Sequence, residues 1–346
     1  MLKLSAQREG SVFLIYRNRV ITVISLMIVA SLITSYAHVK WFTNLAPEKV
    51  PIEQILSGEF LGISLVIAIL LAILSQLIPK LTSIPILLKI DNKLDGYRKY
   101  SRYILKYGTA LAFGLQVLNS TMFAPEFPIH QNWQIILMWA IIIFLIIPHH
   151  ISTKIAAAFM LFLFCYIWNS AGWFHMLDYG FYLAIIGVFF VGKTPLEAKG
   201  FPFLYLGTGL SLCWVAVEKW VYPVMTIDII HHHQVPTFGF TPELFVVLSA
   251  FIEFVVGYLL VVGILNRLLA VVVTILFILT TTIFGYTEVV GHGMIHIVLI
   301  IFIIEGVSFY DPPITIHKTR IDQMIFVFLN FLFTLSTFLL IYYRFA

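Results

Sequence analysis

Glu253 stands in the middle of an apolar run, about eleven residues from its start, where an ionisable side chain is expensive and normally faces other helices rather than lipid. Ser249, Glu253 and Gly257 recur every fourth residue and so share one helix face. Small and polar neighbours suit a stripe where helices approach closely. The same stripe serves equally as a packing device, with Glu253 protonated or bonded to a neighbouring helix or to Arg267. Glu288, His292 and His296 repeat the four-residue interval. Two histidines at i and i+4 can ligate one metal ion. Glu288 would then be a third ligand, or the group that fixes a histidine tautomer. The glycines at 291 and 293 could instead make a turn there, and two helix-packing histidines are the plainer alternative. His231, His232 and His233, near Asp228, form either a metal-collecting segment or a solvated polar loop. Lys219, beside Glu218 near a helix end, can snorkel to water. It can also pair with Glu253 or Glu288 across the bundle, and such a cation would discourage a metal. Cys165 and Cys213 both lie in apolar runs and form no CxxC, which argues against dithiol chemistry.

The elements that must carry these residues are membrane helices. Of 346 residues, 60% are hydrophobic and 11% charged, and the mean hydropathy is +0.98. A soluble domain carries about a quarter charged residues. The net charge of +4 comes without a basic cluster of the kind that binds nucleic acid. Helices of about 20 apolar residues cross a bilayer. Spans are expected near 20–37, 59–78, 103–122, 133–149, 154–172, 175–192, 202–222, 242–264, 268–287, 291–309 and 323–342. The chain reads as an all-α polytopic protein of about eleven transmembrane helices.

The basic residues orient it. Lys3, Arg8, Arg17 and Arg19 precede the first span; Lys80, Lys89, Lys93, Arg98, Lys99, Arg102 and Lys106 surround the second loop. Every second loop thereafter adds more: Lys154, then Lys193 and Lys199, then Arg267, then Lys318 and Arg320. The other side has Lys40, Lys49 and Arg344, and Lys219 lies within a span. Lysine and arginine favour the cytoplasm. The expected placement is the plasma (inner) membrane, with the N-terminus cytoplasmic and the C-terminus outside.

A four-helix unit recurs. Lys106-Tyr107-Gly108-Thr109-Ala110-Leu111 parallels Tyr205-Leu206-Gly207-Thr208-Gly209-Leu210, and His175-Met176-Leu177-Asp178-Tyr179-Gly180 parallels Glu288-Val289-Val290-Gly291-His292-Gly293. An even number of spans gives both copies the same orientation, as in parallel repeats. The expected divisions are 1–100 (two helices and a basic loop), 101–195 (a diverged four-helix copy), 196–310 (the second copy) and 311–346 (a final helix).

The second copy, about residues 202–308, resembles the DoxX-like family of four-helix membrane proteins. Glu218-Lys219-Trp220 with Pro223 closes its first helix. The stretch Glu253-Phe254-Val255-Val256-Gly257-Tyr258-Leu259-Leu260-Val261-Val262-Gly263 follows, then Asn266-Arg267-Leu268-Leu269-Ala270, and Gly291-His292-Gly293 opens the last helix. The first copy lacks the Glu and Arg. The resemblance implies two DoxX-like bundles plus flanking helices. It also implies kinship with the membrane subunit of a thiosulfate:quinone oxidoreductase.

Three functions are compatible with these residues. As part of a quinone-linked redox system, the chain would use Glu253, Lys219 and His296 at the quinone. Electrons would come from a redox partner protein, because no haem, flavin or Fe–S motif is present. As a handler of a divalent or cuprous metal, it would use His231, His232, His233, Glu288, His292 and His296, although its nine methionines include no Met-x-x-Met run. As a structural or chaperone-like partner, it would use the polar residues as helix glue. By parity, Lys219, the His run and His292 open to the outer side, with Glu253 deeper.

Overall fold

The computed structural model describes residues 39–82, 84–306 and 319–346. The expected span 20–37 lies outside them. The described residues are overwhelmingly helical, and the protein is an all-α polytopic membrane protein. The long helices are α1 (Gly58–Thr82), α2 (Pro85–Asp95), α3 (Ser101–Leu118), α4 (Asn132–Ile146), α5 (His150–Ala171) and α6 (Gly180–Val191). They continue with α7 (Gly200–Val221), α8 (Pro223–His232), α9 (Pro242–Val262), α10 (Asn266–Phe284), α11 (Tyr286–Glu305) and α12 (Arg320–Phe345). Eight candidate spans among the described residues are long and apolar enough to cross a bilayer, and α4 is apolar but shorter. Exposed side chains such as Leu111, Ile136, Phe162, Ile278 and Phe333 cover the outside, as a protein solvated by lipid requires.

Local chemistry sets the ends. Thr241 caps α9 through its hydroxyl, with Pro242 at the first helical position. Gly285 takes φ +67° between α10 and α11, a backbone conformation that favours glycine. This turn precedes Tyr286, so α11 starts earlier than the expected 291 and places Gly291 and Gly293 inside a helix. The histidine run also differs from a plain loop. Pro223 starts a short helix over the apolar stretch that follows, and His231 and His232 form its last turn.

Eight helices pack in a closed circuit: α3 on α4, α4 on α5, α5 on α6, α6 on α7, α7 on α9, α9 on α10, α10 on α11, and α11 back on α3. Helix α12 lies against α1 and α7. The tightest crossing is α7 with α9, where a Cβ on Gly209 would stand 2.6 Å from the Gly257 carbonyl oxygen. Small residues at such a crossing let two backbones touch.

At one end of the bundle, basic side chains hold helix C-termini. Arg98 donates to the Glu305 carbonyl (2.8 Å), Lys106 to Ile147 (2.6 Å), Arg102 to Val188 (3.1 Å) and Arg267 to Ile303 (2.6 Å). Cations there meet the last unpaired carbonyls and the negative end of the helix dipole. Arg267 also forms an ion pair with Asp91, not with Glu253.

Candidate functional site

At the other end, polar side chains from the 39–43 segment, the α3–α4 loop, the turns before α6, and helices α7, α9, α10 and α11 converge. Lys219 ends α7 and is wholly buried. It forms an ion pair with Glu253 of α9, whose side chain is 6% exposed. The helix crossing at Gly209 and Gly257 holds these two helices close enough for the pair to form. An unpaired ion here would carry a desolvation penalty of several kcal/mol.

Glu288 and His292 occupy successive turns of α11, and Glu288 Oε1 lies 3.0 Å from His292 Nδ1. Thr280 of α10 donates to the same carboxylate oxygen. Phe277 stacks on the imidazole at 4.4 Å between centroids, and Trp41 packs against it at 5.0 Å. The Trp41 ring lies on Gly291, where any Cβ would collide with it.

Trp41 and Lys40 join the two halves of the circuit. Lys40 Nζ stands 2.6 Å from Asp178 Oδ2 and 2.9 Å from Glu218 Oε1, with both carboxylates buried. The Trp41 indole N–H donates to the Tyr179 hydroxyl (3.0 Å), which donates in turn to Glu126. Glu126 Oε2 is 3.0 Å from His175 Nε2. Burial works against the Lys40 charge, but Asp178, Glu218 and Glu126 outweigh it and raise its pKa. Burial likewise favours neutral Glu126. His175, Lys40 and the Tyr179 hydroxyl outweigh that and hold its pKa below the ordinary value.

A cavity of about 30 Å³ lies between these groups, and its polar lining is Asp178, Tyr179, Thr208, Ser211, Glu253 and His292. Asp178 Oδ1 and Thr208 Oγ1, both buried, accept no hydrogen bond from protein among the described residues, and Glu288 Oε2 is in the same condition. Buried polar atoms are normally satisfied, so a polar space of this size suits one or two waters. It is too small for a quinone ring.

The structure therefore gathers Glu253, Lys219, Glu288 and His292, but not every expected residue. His296 is half-buried beside the edge of Phe277 and does not line the cavity. His232 pairs with Asp228 at 2.9 Å, and Thr43 donates to the other Asp228 oxygen. His233 packs on Phe42 and Phe284. His231 is exposed. Among the described residues, no three or more His, Cys, Asp or Glu side chains are grouped as a metal ion would need.

Sequence reasoning missed Lys40 and Trp41, and it tied Glu126, His175 and Asp178 into no site. One signal was present. Lys40 and Lys219 are two of the few basic residues outside the regularly alternating basic loops, and each pairs with a buried carboxylate.

No curated protein and no solved structure matches the chain. A family model, DoxX, matches residues 206–286, from the second turn of α7 to the start of α11. The Lys219–Glu253 pair lies inside that match, while Lys40, Asp178, Glu288 and His292 lie outside it. The match covers about a quarter of the chain and agrees with the DoxX-like resemblance of its C-terminal four-helix segment.

Proposed function

We propose that the chain is a DoxX-type membrane subunit of a quinone-linked redox system, and that its internal polar cluster holds and exchanges protons with the outer aqueous side. Eleven spans, a cytoplasmic N-terminus and residence in the plasma (inner) membrane belong to this reading. They rest on the alternation of basic loops.

One observation carries the reading. Among the described residues, the cluster contains five carboxylates, of Glu126, Asp178, Glu218, Glu253 and Glu288, against two lysines, Lys40 and Lys219. Even with His175 and His292 both protonated, one negative charge is left over. A buried uncompensated charge is not tolerated in a membrane bundle, so the cluster must retain at least one proton or bind a cation. Water in the cavity would connect Asp178, Glu253 and His292. Reduction of a quinone to a quinol takes two electrons and two protons. The electrons would come from a partner protein and the protons from this cluster. The quinone ring would lie outside the cavity, so Glu253 and Lys219 would act on protons rather than grip the ring.

A second reading shares the same surplus. Glu288 Oε2, without a hydrogen-bond partner among the described residues and beside His292, would suit a divalent cation in place of a proton. Membranes carrying Asp178→Asn or Glu253→Gln should show a shifted redox state of the quinone pool, with no metal in the purified protein. One metal ion per chain, lost in Glu288→Ala and His292→Ala, would replace the proton reading with the metal one. An unchanged pool and no metal would reject both.

A further inference from the structure

A second cavity lies on the other face of the α7–α9 pair, away from the polar cluster. It measures about 680 Å³ and is walled by α6, α7, α9 and α12. Leu196, Phe203, Leu206 and Leu210 line it with exposed apolar surface. Its polar wall groups are largely occupied: the Tyr258 hydroxyl donates to Asn330 Oδ1 at 2.7 Å, and Cys213 Sγ lies 3.5 Å from the Phe254 carbonyl. Along α7 the groove runs from Lys199 to Cys213, roughly 21 Å at 1.5 Å per residue. That exceeds half of a hydrocarbon core of about 30 Å, so the slot has the depth of one leaflet.

The charge at its mouth is one-sided. Lys199 lines the groove and Lys193 is exposed in the same segment between α6 and α7, and neither side chain forms an ion pair among the described residues. The acid nearby, Glu197, is paired with Arg102 at 2.8 Å. The guanidinium of Arg102 packs against Gly200, at the same end of the groove. An amphiphile with a negative head and a long apolar tail matches both halves of this arrangement.

We infer that the groove is a specific site for an anionic phospholipid, its phosphate at Lys199 and one acyl chain lying along α7 as far as Phe338. The lipid fills the gap between α7 and α12 and ties the final helix to the bundle. This inference stands on the groove alone and does not depend on the proton reading.

Native mass spectrometry of the delipidated full chain, titrated with phosphatidylglycerol or phosphatidylcholine, tests it. One phosphatidylglycerol should bind with about fivefold preference, conferred by Lys199 at the mouth. Lys199→Gln should lower that preference by about fivefold and leave phosphatidylcholine unchanged. Thr334→Trp fills the slot and should remove both lipids. Leu210→Trp, on an exposed wall, repeats the block if the first variant fails to fold. Equal affinity for the two lipids, phosphatidylglycerol binding indifferent to all three substitutions, or a short-chain quinone binding in place of phospholipid would overturn the inference.

Discussion

Lys219 and Glu253 each make the other's burial tolerable. Removing either partner alone, by Lys219→Met or Glu253→Leu, should cost about 3–5 kcal/mol, and the double variant should recover most of that. A denaturation cycle in detergent measures the coupling; additive losses would show that the pair is not the stabilising unit. Glu126 gives a pH test. Its unfolded carboxyl titrates near 4.5 and its folded value is lower. The stability it contributes is therefore complete above about pH 4.5 and lost as pH falls through the folded value. The melting temperatures of the protein and of Glu126→Gln should differ at neutral pH and converge on acidification. The sequence made Glu253, Glu288 and His292 conspicuous because an ionisable residue stands out in an apolar run. It could not show Lys40 or Glu126 as partners, because both sit in loops whose path depends on the packed bundle.

Helix α11 places its polar face by way of Gly291, which gives the Trp41 ring a surface to lie on. Gly291→Ala should push the 39–43 segment away, at a cost of about 1–3 kcal/mol, by overpacking. Trp41→Ala in the same chain should restore stability. Failure of that rescue would show that Trp41 is not what the new methyl group meets. Most long helices were legible from apolar length alone. The start of α11 was not, because Gly291 and Gly293 resemble a turn until Gly285, four residues before Val289, is seen to make it. Helix α8 was hidden for a related reason: ten residues ending in two of the three adjacent histidines read as loop until Pro223 is seen to start a helix packed under α9.

The closed circuit of eight helices gathers the polar cluster at one end and the helix-capping arginines at the other. If the basic end is cytoplasmic, a protease-sensitive tag after Ala346 should be cut from outside intact cells, and one before Met1 should not. Equal access at both termini would mean an even number of spans. The circuit is a property of the packed helices rather than of any one of them. Its closure, α11 on α3, depends on contacts about 170 residues apart such as Gln116 with the Val290 carbonyl, which no local pattern encodes. Closure is also what concentrates five carboxylates around two lysines. The most direct test of that imbalance is infrared spectroscopy of the reconstituted, metal-free protein at neutral pH. The account predicts an absorption of protonated carboxyl groups that shifts in deuterium oxide and shrinks in Asp178→Asn or Glu253→Gln. A spectrum in which every carboxyl is ionised would contradict it.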